Sequence, residues 1–345
     1  MRILLTIMLM VFLAGCVTRD LRTDENNGIT INKFFADPSS VDSGDIFHAY
    51  MELENVGGRT AKSVKLELIS TAFDQQQREN APAIAKIGQP LPEFSFTPVD
   101  KAGNTPYFYA TLAPPDASLN RPGEFRVVGW TLQAPFIPEG IIKDFRLLGR
   151  ATYEYSTSAA LNIPVYTKNE FRQSKDLKSL EATSTNGPIK VFISGPSQIV
   201  VNTDPDITRL NDKETAVYTI TLRNTGDGIP FTNNINGLVK GTVRFSGGIT
   251  PVDCINTGTA QLEQQLLQRP SQQAYDSSYY VITLPENDNG VVLRNGNSAT
   301  FSCTLALARS QWISRPFGTA TIAFDLSYLY FIEKETKVSV KGLRT

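Results

Sequence analysis

Apolar and polar residues alternate in short segments along most of this chain. Residues 47–54 alternate and then end in Asn-Val-Gly, and residues 216–223 alternate and then end in Asn-Thr-Gly. Alternation with a period of two predicts a β-strand that buries one face. Asn and Gly are typical of the turn that follows such a strand, because they tolerate a positive φ. The chain is therefore expected to contain many short strands that are separated by turns.

The alternating segments fall into two copies of one pattern. Separate matches occur in the same order in both halves, which indicates an internal repeat. In chain order, the matched positions are Asn55 with Asn224, 109–112 with 281–284, Trp130 with Cys303, 151–155 with 320–324, and 160–166 with 334–340.

This repeat sets the expected fold class and domain organisation. β-Branched and aromatic strands between Gly, Pro, Asn and Asp turns are typical of an antiparallel sandwich. The sequence predicts an all-β chain with two tandem Ig-like antiparallel β-sandwich domains, at 28–170 and 187–345. The polar segment 171–186 between them is the predicted linker.

Two insertions interrupt the repeats at equivalent places. Residues 71–106 are rich in Gln, Pro and Ala, and residues 258–278 include a short helical pattern. Loops on a rigid sandwich often bind ligands, and large amphipathic rings anchor interfaces. The candidate binding residues are the tyrosines that flank the insertions: Tyr107, Tyr109, Tyr279 and Tyr280. The alternative role for these rings is packing in the core or at a sheet edge.

The N-terminus predicts export. One basic residue, Arg2, precedes an apolar run at 3–13, which is shorter than the roughly 20 residues that span a bilayer. This arrangement is typical of a signal peptide, here residues 1–15. The Leu-Ala-Gly-Cys sequence that ends at Cys16 resembles the lipobox of lipoproteins. The resemblance implies cleavage before Cys16, a diacylglyceryl thioether on its sulfur, and attachment to a membrane through this lipid.

The segment after Cys16 and the first repeat add two expectations. Residues 16–27 are polar without periodicity, which predicts a flexible tether. The Asn-x-Gly strand followed by the Lys- and Val-rich segment 61–66 is similar to the adhesion-type Ig-like modules called CARDB, and to modules of archaeal S-layer-associated proteins. This similarity implies an extracellular structural or adhesion role without catalytic residues.

Composition narrows the classes of partner. The chain has 345 residues, of which 41% are hydrophobic and 19% charged, and its net charge is −1. This is the composition of a globular protein, and it lacks the basic excess that a nucleic-acid-binding protein needs. Apart from Cys16, the cysteines are Cys254 and Cys303. In an exported protein such a pair predicts a disulfide, and two buried thiols are the alternative.

Motifs for catalysis are scarce. The single histidine, His48, lies in an alternating strand, and neither a G-x-S-x-G elbow nor a P-loop occurs. Acidic loops such as 204–206 and 286–288 offer oxygen ligands for calcium, but Asp and Asn are also ordinary turn residues. We therefore expect no enzyme activity, no cofactor and no metal site.

Together these observations predict a membrane-anchored, extracytoplasmic surface lipoprotein. Its expected role is structural, in adhesion or in envelope assembly, through protein contacts. Two alternatives stay open at this point. One is a lipoprotein that binds a glycan or solute with the loops at 71–106 and 258–278, and the other is an accessory subunit of a pilus, secretion or S-layer machine.

Overall fold

The computed structural model describes residues 23–70, 97–98, 107–173, 182–202, 213–232, 235–256, 280–284, 291–308, 312 and 315–343. Nearly all regular elements in these ranges are strands. The strands of the first repeat are β1 (Ile29–Asp37), β2 (Ser40–Asp42), β3 (Ile46–Asn55), β4 (Ala61–Ser70), β5 (Thr97–Pro98), β6 (Tyr107–Leu112), β7 (Phe125–Gln133) and β8 (Ile142–Thr167).

A six-residue helix, one strand within the predicted linker and the strands of the second repeat follow. The helix, α1 (Lys168–Gln173), continues directly from β8. The strands are β9 (Ala182–Ser184), β10 (Ile189–Ser194), β11 (Ile199–Val201), β12 (Lys213–Asn224), β13 (Ile229–Thr232), β14 (Ile235–Asn236), β15 (Leu238–Ser246), β16 (Ile249–Asn256), β17 (Tyr280–Leu284), β18 (Val291–Val292), β19 (Ser298–Ala308) and β20 (Phe317–Lys341).

Within the described residues, each repeat contributes one four-stranded antiparallel sheet. Their strand orders are β1-β3-β7-β5 and β10-β12-β19-β16, so the two sheets are built from corresponding strands. Alternate residues of β3, such as Phe47 and Met51, are fully buried, and the same holds for Tyr218 and Ile220 of β12. The period-two pattern of the sequence thus places one face of each sheet in the core.

A third sheet is shared by both repeats, and within the described residues it has twelve strands. Its centre is formed by β8 and β20, which pair antiparallel over their whole length, from Tyr166 opposite Phe317 to Ile142 opposite Lys341. β4 extends the sheet beside β8, and β15 extends it beside β20. A strand of this length rises roughly 85 Å at 3.3 Å per residue, so the body is an elongated rod.

The shared sheet buries the same face along the entire rod. On β8 the odd-numbered residues from Phe145 to Val165 are buried, and on β20 the buried residues are mainly even-numbered from Ala320 to Val340. Because side chains alternate between the two faces of a strand, both four-stranded sheets pack on one side of the shared sheet. The buried residues of the two repeats join in a single hydrophobic cluster.

Short crossing strands interlock the repeats further. β2 of the first repeat pairs parallel with the end of β20, with Val41 opposite Val340. β11 of the second repeat pairs parallel with the end of β8, with Val200 opposite Tyr166. Each sandwich is therefore completed by the last strand of the other repeat.

The predicted all-β antiparallel sandwich is confirmed, with three differences in detail. The final two strands expected in each repeat are continuous, as β8 and β20. Three residues of the predicted linker form β9, which pairs with β8. The predicted tether does not run free to its end, because residues 24–27 make hydrogen bonds to both repeats. The boundaries at 170 and 187 stay a prediction.

Candidate functional site

Four tyrosines mark the middle of the rod. The waist is defined here as Tyr153–Thr157 of β8 with Leu326–Tyr330 of β20. Register places Tyr153 opposite Tyr330 and Tyr155 opposite Tyr328, with ring centroids 5.8 and 6.3 Å apart. All four rings are buried on the inner face of the shared sheet. Two of these rings come from each repeat, so the repeats meet at the waist through a shared aromatic cluster.

The tyrosine hydroxyls bind the loops that cross the waist. The Tyr155 hydroxyl accepts from the Arg59 amide at 3.0 Å and donates to the Asn186 carbonyl at 3.1 Å. The Tyr153 hydroxyl accepts from the Ile29 amide at 3.2 Å. The Tyr330 hydroxyl accepts from the Gly228 amide at 2.9 Å. Buried polar groups are thereby satisfied.

Burial also changes the acidity of these phenols. Burial raises the pKa of Tyr155 to about 12, although hydrogen bonds from the Arg59 and Gly58 amides oppose the shift. Burial raises the pKa of Tyr153, Tyr328 and Tyr330 well above 10 as well. All four side chains are therefore neutral near pH 7, and their role at that pH is packing and hydrogen bonding.

The two Asn-x-Gly motifs hold the strand ends next to the waist. The Asn55 amide nitrogen donates to the carbonyls of Leu112 at 2.7 Å and Arg59 at 3.0 Å, and its oxygen accepts from the Gly57 amide. Asn224 makes the equivalent bonds to Gly228 and Gly226 in the second repeat. An amide side chain is required here because it must donate and accept at once.

The glycines of these motifs are needed for space, not for a positive φ. The positive-φ residues do not include Gly57 or Gly226, so the conformational reason inferred from sequence is wrong. A Cβ on Gly57 would lie 2.2 Å from the Tyr155 hydroxyl, and one on Gly226 would lie 2.7 Å from the Tyr330 hydroxyl. The loops can approach the waist tyrosines only because both positions lack a side chain.

The chain segment that enters the first repeat crosses the waist. The Gly187 amide donates to the Glu25 carbonyl at 3.0 Å, and the Asp227 amide donates to the Asn27 side chain at 3.1 Å. A Cβ on Gly28 would lie 2.9 Å from the Tyr155 ring. Residues 24–28 therefore lie over the waist tyrosines, on the side of the shared sheet that carries the four-stranded sheets.

The cysteine pair lies in the second repeat. Cys254 of β16 is directly opposite Cys303 of β19, and the sulfur atoms are at disulfide distance. On its other side, Cys303 pairs with Tyr218 of β12. The corresponding pair in the first repeat is Trp130 of β7 with Ala49 of β3. The buried Trp130 ring occupies the corresponding strand position, as the repeat alignment predicts, and contacts the Tyr107 ring edge to face.

Two of the four candidate tyrosines have described surroundings, and both are half-buried against the core. The Tyr107 hydroxyl donates to the Gly129 carbonyl at 2.7 Å, and the Arg126 guanidinium lies over the Tyr109 ring at 5.5 Å. Tyr280 is the first residue of β17, and Tyr279 lies outside the described residues. So do the loops at 71–96, 99–106 and 258–278, and binding by these residues stays a prediction.

His48 and the acidic residues are the groups at which the sequence places possible catalysis or metal binding. His48 is exposed on β3, with Nδ1 at 3.3 Å from the Thr131 hydroxyl and its ring at 5.9 Å from the Tyr50 ring. In the described ranges, no three His, Cys, Asp or Glu side chains are grouped so that they could hold a metal ion. The acidic loops at 204–206 and 286–288 lie outside these ranges.

A shallow groove of about 320 Å³ lies on the opposite, outer face of the waist. Its charged lining consists of Lys62, Lys240 and Glu154, and Ser156 and Ser327 add hydroxyl groups. Sequence reasoning missed this groove, because Lys62 and Lys240 are brought to it by β4 and β15 from different repeats. Chemically it offers hydrogen bonds and two ammonium groups to a polar ligand.

Comparison with known proteins gives little further information. No family model and no curated protein matches the chain. Among solved structures, a collagen adhesin from S. aureus aligns at 8% identity, over 94% of this chain and 97% of that one, with a TM-score of 0.12. The C-terminal domain of the AgI/II polypeptide BspA from Streptococcus agalactiae aligns at 9% identity, over 88% and 93%, also with a TM-score of 0.12.

Among the helices in the described part of the chain, none combines the length and apolar character that crossing a bilayer requires. The described fold is thus an antiparallel β-sandwich in which two repeats share one long sheet, with a tyrosine-lined waist where the N-terminal segment enters.

Proposed function

We propose that this protein is a lipid-anchored, extracytoplasmic structural protein whose two repeats act as one rigid element in adhesion or envelope assembly. Cys16 carries the lipid in this proposal, and the body makes contacts with envelope proteins. A membrane anchor combined with a stiff body holds a contact surface at a fixed place on the cell.

The observation that carries the proposal is the shared pairing of β8 and β20 along the whole rod. Two domains on a flexible linker would bend under load, whereas a continuous sheet with one core resists bending between its halves. Arg150 is buried, and its Nε donates to Glu333 at 2.6 Å, so a charged pair also ties the two long strands together. Such a body is suited to transmitting or resisting force.

Intact mass and detergent partitioning of the native protein test the anchor. Loss of residues 1–15 together with a lipid-sized mass gain, both absent from a Cys16→Ser variant, is the expected result. The variant is also expected to move to the aqueous phase. An unmodified wild-type chain that stays aqueous would refute the lipid anchor.

A second role, as a subunit of an envelope machine, is favoured by an exposed apolar group at the outer end of the first repeat. Phe136, Ile141, Ile142 and Leu343 are all exposed there, and the Gly342 amide donates to the Ile141 carbonyl. Exposed apolar clusters often mark protein contacts. Crosslinking in cells should yield a defined adduct for wild type that a Phe136→Ser/Ile142→Ser variant loses, while Leu119→Ser, at another exposed site, retains it.

A further inference from the structure

The place where the anchor segment joins the body restricts how the body can stand on a membrane. Residues 24–28 are fixed at the waist, halfway along the rod. Cys16 and Asp24 are eight positions apart, with seven residues between them, and eight Cα–Cα steps span at most about 28 Å. If Cys16 is lipidated, the waist lies within that distance of the lipid.

This distance is too short for an upright rod. Half of the rod, measured along β8, is roughly 40 Å long. An upright body would need about 40 Å of clearance below the waist for its lower half. The anchor segment allows at most about 28 Å, so the rod must lean or lie along the surface.

The side of the rod that faces the lipid follows from the same segment. Residues 24–28 cover the inner face of the shared sheet at the waist, and both four-stranded sheets pack on that inner face. Their outward surfaces are therefore on the anchor side. Exposed large apolar residues occur on these surfaces in both repeats: Phe35, Ile46, Val127, Phe192, Val217 and Val252.

The opposite side of the waist has a different character. Glu154, Ser156 and Ser327 are exposed there, on the outer face of the shared sheet. Of the exposed large apolar residues of that face, Ile142 and Phe317 are at the ends of β8 and β20, and Phe108 is on the edge strand β6, opposite Lys65 of β4. Apolar side chains gain free energy in the interfacial region of a bilayer, and serines and carboxylates do not.

We propose that the body lies along the lipid surface, with the outward surfaces of both four-stranded sheets turned to the membrane and the outer face of the shared sheet turned away. This inference rests on the proposed lipid anchor. It makes the membrane a second partner of the body, and it leaves the groove with Lys62 and Lys240 accessible to molecules that approach the cell.

Fluorescence quenching by lipids tests this orientation. Full-length lipidated protein carrying one added cysteine, labelled with an environment-sensitive fluorophore, is reconstituted in phosphatidylcholine–phosphatidylglycerol vesicles that contain a spin-labelled lipid. The membrane-facing positions are Val127→Cys and Val217→Cys. The matched outward-facing positions are Ser156→Cys and Ser327→Cys, which are also exposed on strands. Circular dichroism of each variant verifies its fold.

The expected result is loss of fluorescence for the labels at positions 127 and 217. The labels at positions 156 and 327 should lose no more fluorescence than the same labels do in the soluble Cys16→Ser protein. Equal quenching on both sides, or none on either side in protein that sediments with the vesicles, would overturn the orientation while leaving the anchor intact. Lipid-modified protein that fails to sediment with vesicles would instead overturn the anchor, and the orientation with it.

Discussion

Tyr155 of β8 lies directly opposite Tyr328 of β20, with the ring centroids 6.3 Å apart, so the two repeats meet at a buried aromatic pair. Thr157 completes the contact, since its hydroxyl is 2.8 Å from the Tyr328 hydroxyl and donates to the Ile189 carbonyl. The junction between the repeats is therefore built like the core of a single domain.

The two repeats are expected to unfold together. Because β8 and β20 each belong to both sandwiches, neither sandwich keeps a complete sheet when the other melts. Calorimetry should show one cooperative transition whose van't Hoff and calorimetric enthalpies agree. Two separate transitions, each assignable to one repeat, would contradict a shared sheet.

Removing the Tyr155 hydroxyl should weaken the waist. In Tyr155→Phe the Arg59 amide and the Asn186 carbonyl lose their partner in a partly buried place, so the free energy of unfolding should fall by about 1 kcal/mol. Urea unfolding measures the change. Tyr109→Phe, which keeps the ring beneath Arg126, serves as the control and should change it by less than about 0.5 kcal/mol.

Asn55 should tolerate no substitution. Its side chain is fully buried and bonds two carbonyls and one amide, so Asn55→Ala should cost about 2–4 kcal/mol by chemical denaturation. Asn55→Asp should be no better, because a carboxylate would face the Arg59 and Leu112 carbonyls. Asn162→Ala on the exposed face is the matched control. A near-neutral Asn55→Ala would refute the proposed role of the motif.

The cysteine pair should stabilise the second repeat. Cys254 and Cys303 are 49 residues apart in sequence, and a bond that closes such a loop contributes about 3–4 kcal/mol through the unfolded state. Reductant should therefore lower the stability of wild type and leave that of Cys254→Ala/Cys303→Ala unchanged. Alkylation in denaturant without reductant should leave both sulfurs unlabelled. Labelling of both would show that they are thiols.

Alkaline pH should destabilise the protein through the waist. Burial raises the pKa of Tyr155 to about 12 and that of Tyr153, Tyr328 and Tyr330 above 10. Above pH 10 the unfolded chain loses phenolic protons that the folded chain retains, so the free energy of unfolding falls as pH rises. Each such tyrosine lowers the free energy of unfolding by up to about 1.4 kcal/mol per pH unit, until the pH passes the pKa of that tyrosine in the folded protein.

Urea unfolding at a series of pH values from 8 to 12, with tyrosinate absorbance as a second signal, measures this dependence. Tyr328→Phe removes one of the four tyrosines of the waist whose pKa is raised, so its stability should fall less steeply above pH 10 than that of wild type. Slopes that are identical in the two proteins would exclude Tyr328 from the effect.

The sequence by itself determined the strand content, the repeat and the buried faces. Alternation is a local signal, and the spacing of Phe47 and Met51 or of Tyr218 and Ile220 already specifies which side of the strand is buried. The match of Trp130 with Cys303 also came from local pattern. The lipid anchor at Cys16 stays a prediction, because it concerns residues outside those that the structure describes.

Only the tertiary structure decided which strands pair. The two repeats could form separate sandwiches in series, or sandwiches that exchange their last strands. Both arrangements have the same pattern of buried and exposed residues, because one long strand alternates in the same way as two short strands. The distinction depends on contacts between residues far apart in sequence, such as Tyr155 with Tyr328. The same reason explains the Asn-x-Gly loops. Their glycines are required by a tyrosine about 100 residues away, which no local propensity records.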